Sequence, residues 1–128
     1  MKKNLLTLVI GLILASLILS ACGSAGKANF PTGKFIKAGE TDYGLKINAD
    51  GTFSVFQGET TYVTGTYKAD DKMFTETSND GGCDTNVSFN YAFDGSELTF
   101  SYVGDPEKDV SCTGRHADFN NVTYTLSK

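Results

Sequence analysis

From Gly33 onward the sequence predicts an all-β domain, a small antiparallel up-and-down β-barrel of about eight short strands. Three observations lead there. Apolar and polar residues alternate with period two over Val87–Phe93 and again over Leu98–Tyr102, the pattern of strands with one buried face. Asp-Gly pairs at 50–51 and 94–95 separate alternating segments and signal hairpins. Beyond the first 21 residues no stretch of about ten carries a helical stripe of apolar side chains. Closing such a meander into a barrel removes the strand edges that would otherwise invite aggregation; an open sandwich is the alternative.

The elements follow in order. Ser24 to Asn29 is small and polar and makes residues 22–29 a short tether. Gly33 to Phe35 opens the first strand. Tyr43, Leu45 and Ile47 then share one face, and Asp50-Gly51 turns the chain toward Phe53 and Val55. Val63, Gly65 and Tyr67 alternate with Tyr62, Thr64 and Thr66, and Lys72 to Thr77 is the next strand. Val87, Phe89, Tyr91 and Phe93 face one way, Asp94-Gly95 makes the turn, and Leu98, Phe100 and Tyr102 return. Between Cys112 and Asn120 there is room for one short turn of helix. Val122, Tyr124 and Leu126 form the last strand.

The chain has 128 residues, enough for one small domain, with 15 acidic against 11 basic side chains and a net charge of −4. Lys2 and Lys3 lie in the first 21 residues, where no acid does, so the remainder is more acidic still. That balance argues against nucleic acid and against a broad basic patch for anionic headgroups. The 9 Phe and 6 Tyr all lie beyond residue 21 and can build a core without Trp. Of the 3 cysteines, Cys83 and Cys112 are expected to form a disulfide if the domain is exported. It would close a loop of about 30 residues and contribute about 3–4 kcal/mol in the chain-entropy picture. Cys83 precedes one strand of the second hairpin and Cys112 follows its partner, so both fall near one end. No metal site is expected, because the single histidine, His116, and this cysteine spacing lack zinc geometry.

At the N-terminus, Lys2 and Lys3 precede an apolar run from Leu5 to Leu19, followed by Ser20, Ala21 and Cys22. A charged segment, a short apolar segment and Leu-small-small-Cys resemble the lipobox of bacterial lipoproteins. The resemblance implies that residues 1–21 are a signal peptide and that Cys22 becomes a diacylglyceryl-modified N-terminus. Its acyl chains, such as palmitate, would anchor the domain on the extracytoplasmic side of the cell membrane or outer membrane. Two chains suffice for stable attachment where one is marginal. An ordinary secretory peptide or a membrane-spanning helix is the other reading of this stretch.

Residues 30–128 loosely resemble lipocalin-like domains of the calycin type. The first strand of those barrels opens on Gly-x-Trp, here Gly33-Lys34-Phe35. In the second half the resemblance rests on Tyr91, Asp94-Gly95, Leu98-Thr99, Asp105, Cys112 and Arg115. The resemblance implies that Arg115, the sole arginine, closes the base of the barrel by stacking on the aromatic ring of Phe35. Phe35 stands where the family has tryptophan. A ligand-binding role for Arg115 is the alternative.

For function, Tyr43, Phe53, Tyr67, Phe89, Tyr91, Phe100 and Tyr102 either line a cavity for a small hydrophobic or amphipathic ligand or fill a packed core. Asp105, Glu107 and Asp109, and the loop over 79–84, carry oxygen ligands suited to calcium but lack EF-hand spacing, and solvated turns account for them. No motif of a nucleophilic or metal-dependent hydrolase is present, so neither an enzyme nor a cofactor is expected. Three readings stand: a lipid-anchored binding protein for a small hydrophobic ligand; a surface module resembling small barrel inhibitors of lysozymes or proteases, engaging a secreted basic protein through its acidic loops; or an envelope accessory lipoprotein without a discrete ligand.

Overall fold

The computed structural model describes residues 30–79, 83 and 85–128. The expected signal peptide over 1–21, the expected acylation site Cys22 and the expected tether over 22–29 lie outside the described residues, as does most of the loop over 79–84. Eight strands run β1 (Gly33–Lys37), β2 (Tyr43–Ile47), β3 (Thr52–Gln57), β4 (Thr60–Ala69), β5 (Met73–Ser78), β6 (Val87–Phe93), β7 (Glu97–Tyr102) and β8 (Val122–Leu126). Every strand pairs antiparallel with its neighbour in sequence, and β1 also pairs with β8, so the sheet is a closed barrel. That last pairing decides against the open sandwich.

The predicted turns form for local reasons. The Asp94 carboxylate accepts from the Ser96 and Glu97 amides at 2.9 and 2.7 Å, and Asp50 accepts from the Thr52 amide at 2.9 Å. Gly33 starts β1 with φ +136°, a conformation side chains disfavour, and a Cβ there would meet Leu126 Cδ1 at 3.0 Å. Gly65 lies opposite Phe53 in the register, and a Cβ would come within 2.4 Å of that ring. The phenylalanine takes the space the glycine leaves, as aromatic side chains do over strand glycines.

Connections alternate between the two ends. The end at which the described residues begin, hereafter the tether end after the expected tether, holds Phe30, the turns between β2 and β3, β4 and β5, and β6 and β7, and the C-terminus. The opposite end holds the remaining connections, including a 3-10 turn (Pro106–Lys108) and helix α1 (Thr113–Phe119) before β8. Where one turn of helix was expected, α1 has 7 residues, and it lays Phe119 into the barrel mouth.

Aromatic rings run through the barrel from end to end. Phe74 sits at the middle, with Phe30 stacked on it at 5.1 Å from the tether end and Phe119 at 5.7 Å from the helix end. Tyr67 and Phe100 flank it at 5.2 Å each. Phe35, Phe89, Phe100 and Tyr124 are wholly buried around this column. Rings of this size fill the interior that an eight-stranded barrel encloses. No helix among the described residues is long and apolar enough to cross a membrane.

Candidate functional site

The seven aromatic residues expected to face inward do so, but they meet one another and the protein's own polar groups. Phe53, Phe89 and Phe100 are core, each in ring contact with Phe74 and Phe119. All four tyrosine hydroxyls have partners. Tyr43 donates to Asp118 Oδ1 at 2.7 Å, and Tyr102 to Asp109 Oδ2 at 2.9 Å. Tyr67 donates to the Asn48 carbonyl and Tyr91 to the Asp70 carbonyl, both at 2.7 Å. A hydroxyl bonded in this way is not poised to orient a ligand. Beneath α1, between Phe53, Val63, Ser78, Arg115, Asp118 and Phe119, a cavity of about 30 Å³ remains, room for about one water.

Arg115 corrects an expectation. It does not stack on Phe35, whose ring meets Phe93 edge-on at 6.2 Å toward the tether end. The cation–π contacts among the described residues are Lys34 over Phe56 and Lys37 over Tyr43. Arg115 comes from the first turn of α1 at the other end, 3% exposed, and its Nε lies in direct contact with Glu76 Oε1. Its Nη2 donates to the carbonyls of Cys83 at 2.6 Å and Thr85 at 3.1 Å, and Nη1 reaches the Asp109 carboxylate at 3.3 Å. The reason is electrostatic. A wholly buried carboxylate without a cation would be far costlier than an aromatic ring without one.

Glu76 is the residue that sequence reading missed. The signal was available: Phe74, Glu76 and Ser78 alternate onto one face, which places a carboxylate among core positions. Burial pushes its carboxyl up to about 7, while the Arg115 guanidinium and the Ser78 hydroxyl, donating at 2.8 Å, pull it back. Asp118 is also raised by burial, with Tyr43 and Lys37 opposing. Its Oδ1 lies 3.8 Å from Lys37 Nζ.

The disulfide between Cys83 and Cys112 is present, with Cα atoms 5.0 Å apart. It ties the connection before β6 to the residue preceding α1. The acidic segment is also committed to structure: Asp105 caps the 3-10 turn by accepting from the Glu107 amide at 3.0 Å, and Asp109 serves Tyr102 and Arg115. Beside α1 an open groove of about 310 Å³ is lined by Glu107, Asp109, Val110, Thr113 and His116. Val110 is 80% exposed there, and His116 rests on Tyr102 with Nε2 3.2 Å from the Asp109 carbonyl.

No known family model, curated protein or solved structure matches this chain. Outside the packed interior, the helix end combines a rigid frame with exposed apolar side chains, Tyr62, Val103 and Val110, set among exposed acids.

Proposed function

We propose that this chain is a lipid-anchored, extracytoplasmic binding module that works from the outer surface of its helix end. The observation that carries this reading is the aromatic column from Phe30 through Phe74 to Phe119, which occupies the space an interior ligand would need. Charge distribution adds the partner's chemistry. Glu40, Asp42, Glu59, Asp105 and Glu107 are exposed at the helix end, with Lys108 the exposed cation in their midst. At the tether end Lys34, Lys46, Lys68, Lys72 and Lys128 offset Asp50, Asp70, Asp71, Asp94 and Glu97. An acidic surface with an exposed tyrosine and two valines suits a basic protein partner.

Anchoring fits this polarity. A chain held through Cys22 reaches the barrel at Phe30, so the acidic end points away from the bilayer. The lipocalin-like resemblance then describes the scaffold, with the recognition chemistry on the connections between strands.

The test uses the full chain in uncharged detergent, with lysozyme and other secreted basic proteins as probes. Saturable binding is expected, weakening at least about tenfold between about 50 mM and about 0.5 M salt, and lost in Tyr62→Ala with Val110→Ala. Absence of binding across the panel, with a small molecule retained inside the barrel in native mass spectrometry, would overturn it. For the anchor, Cys22→Ser is expected to abolish palmitate labelling and release the chain from membranes.

A further inference from the structure

The outer wall of β1–β3 holds an arrangement that the binding module just described does not use. The register sets Lys34 directly opposite Lys46, and Lys46 directly opposite Ser54. All three alternate outward, away from Phe35, Leu45 and Val55. Two like charges face to face on neighbouring strands repel, and neither lysine takes part in the ion pairs among the described residues, which join Lys37 with Asp118 and Arg115 with Glu76 and Asp109.

The next outward row supplies a floor. Gly44 has no side chain between Ile36 and Phe56, and Phe56 lies on this outer wall only 7% exposed, with Lys34 Nζ 4.7 Å above its ring. The result is a groove of about 280 Å³ lined by Lys34, Lys46, Ser54 and Phe56, with the backbone positions of both lysines and Ser54 in the row toward the tether end. Glu59 and Thr61 close it toward the helix end. Directly opposed residues have Cβ atoms about 5 Å apart, so one tetrahedral dianion can meet both lysines at once while Ser54 donates a third hydrogen bond. Glu59 repels an anion from the far end and so fixes which end it occupies.

We propose that this groove is a binding site for a phosphate group, with Lys34 and Lys46 carrying the charge, Ser54 the third donor and the Phe56 ring an apolar floor for what the phosphate is attached to. Net acidity excludes a broad basic patch, but it does not exclude a pair of lysines that the register has set together. A free phosphate ester and the headgroup of an anionic lipid share this chemistry. The lysines' place in the half of the wall nearest Phe30 makes either accessible to a domain tethered at that end.

The experiment titrates the full ¹⁵N-labelled chain, in uncharged detergent, with inorganic phosphate, glycerol 3-phosphate and short-chain phosphatidylglycerol, each at matched ionic strength. Saturable amide shifts are expected at Lys34, Lys46, Ser54 and Thr61. Lys34→Gln and Lys46→Gln should each weaken binding at least tenfold, and Lys68→Gln, on another part of the wall, should not. Without phosphate, Lys46→Gln, which leaves the Lys34 contact with Phe56 in place, should melt about 1–4 °C above the parent because the repulsion is gone, and phosphate should erase that gap. Binding of all three probes assigns recognition to the phosphate alone; binding of phosphatidylglycerol only assigns it to a headgroup. Shifts spread evenly over Lys34, Lys46, Lys68, Lys72 and Lys128, or none that saturate, would overturn the proposal. None of these readouts depends on acylation of Cys22 or on a basic protein partner.

Discussion

Both ends of this barrel are stoppered by a phenylalanine resting on Phe74, yet different chemistry holds each stopper. At the tether end Phe30 is held by rings, with Tyr67 at 5.3 Å and Tyr91 edge-on at 4.7 Å. At the helix end Phe119 rides on a helix of 7 residues, too short to persist unaided and without a side-chain cap at Cys112. It is secured by the disulfide, by the Arg115–Glu76 pair and by Tyr43 and Tyr124, which donate to the Asp118 side chain and carbonyl. The difference teaches where rigidity is being spent. Apolar contact closes one end, while buried charge and a covalent bond close the other and fix its shape more narrowly.

Four measurements sharpen or break this contrast. Phe74→Ala removes the ring on which both stoppers rest and is expected to cost about 3–5 kcal/mol by chemical denaturation. Amide exchange should then accelerate at both ends together; acceleration at one end alone would show that the column is not continuous in energy. Cys83→Ser with Cys112→Ser is expected to cost about 3–4 kcal/mol and to strip exchange protection from α1, leaving the turn between β6 and β7 as it was. Equal loss at both ends would remove the distinction between them. Phe30→Ala, at a rim position 8% exposed, should cost about 3 kcal/mol and spare α1.

The fourth test is the pH dependence of the helix end. The folded Glu76 carboxyl titrates at about 7, above the 4.5 of an unperturbed glutamate, so the folded state binds the extra proton between those values. Its contribution is therefore fully present below about pH 4.5 and is lost as pH rises through about 7. Melting temperature measured against pH for the parent and for Glu76→Gln isolates it: the variant should lack this decline. A parent curve that rises across the same interval, relative to the variant, would reverse the sign and disprove the assignment.

Much of the fold was legible in the chain. The hairpin at Asp94-Gly95 and the strands around it depend on neighbours in sequence, and they formed where alternation placed them. The disulfide was legible from its cysteine count and the expected export. The partner of Arg115 was not, because Glu76 lies 39 positions away and only the closed register brings β5 beneath α1. Nor were the stoppers: Phe30 precedes the first strand, and Phe119 ends helix α1, so neither belonged to an alternating pattern. Gly65 was visible as an inward position, whereas the ring of Phe53 filling its place was not.

By itself, then, the amino-acid sequence determined the all-β class, the strand and turn positions and the cysteine pair, since these follow from period-two burial and local turn chemistry. Only the tertiary structure decided that the interior is filled, that Arg115 serves Glu76 instead of Phe35, and that Lys34 faces Lys46. Each of those outcomes depends on which strand lies beside which, and on a carboxylate's need for a cation once the barrel has closed water out.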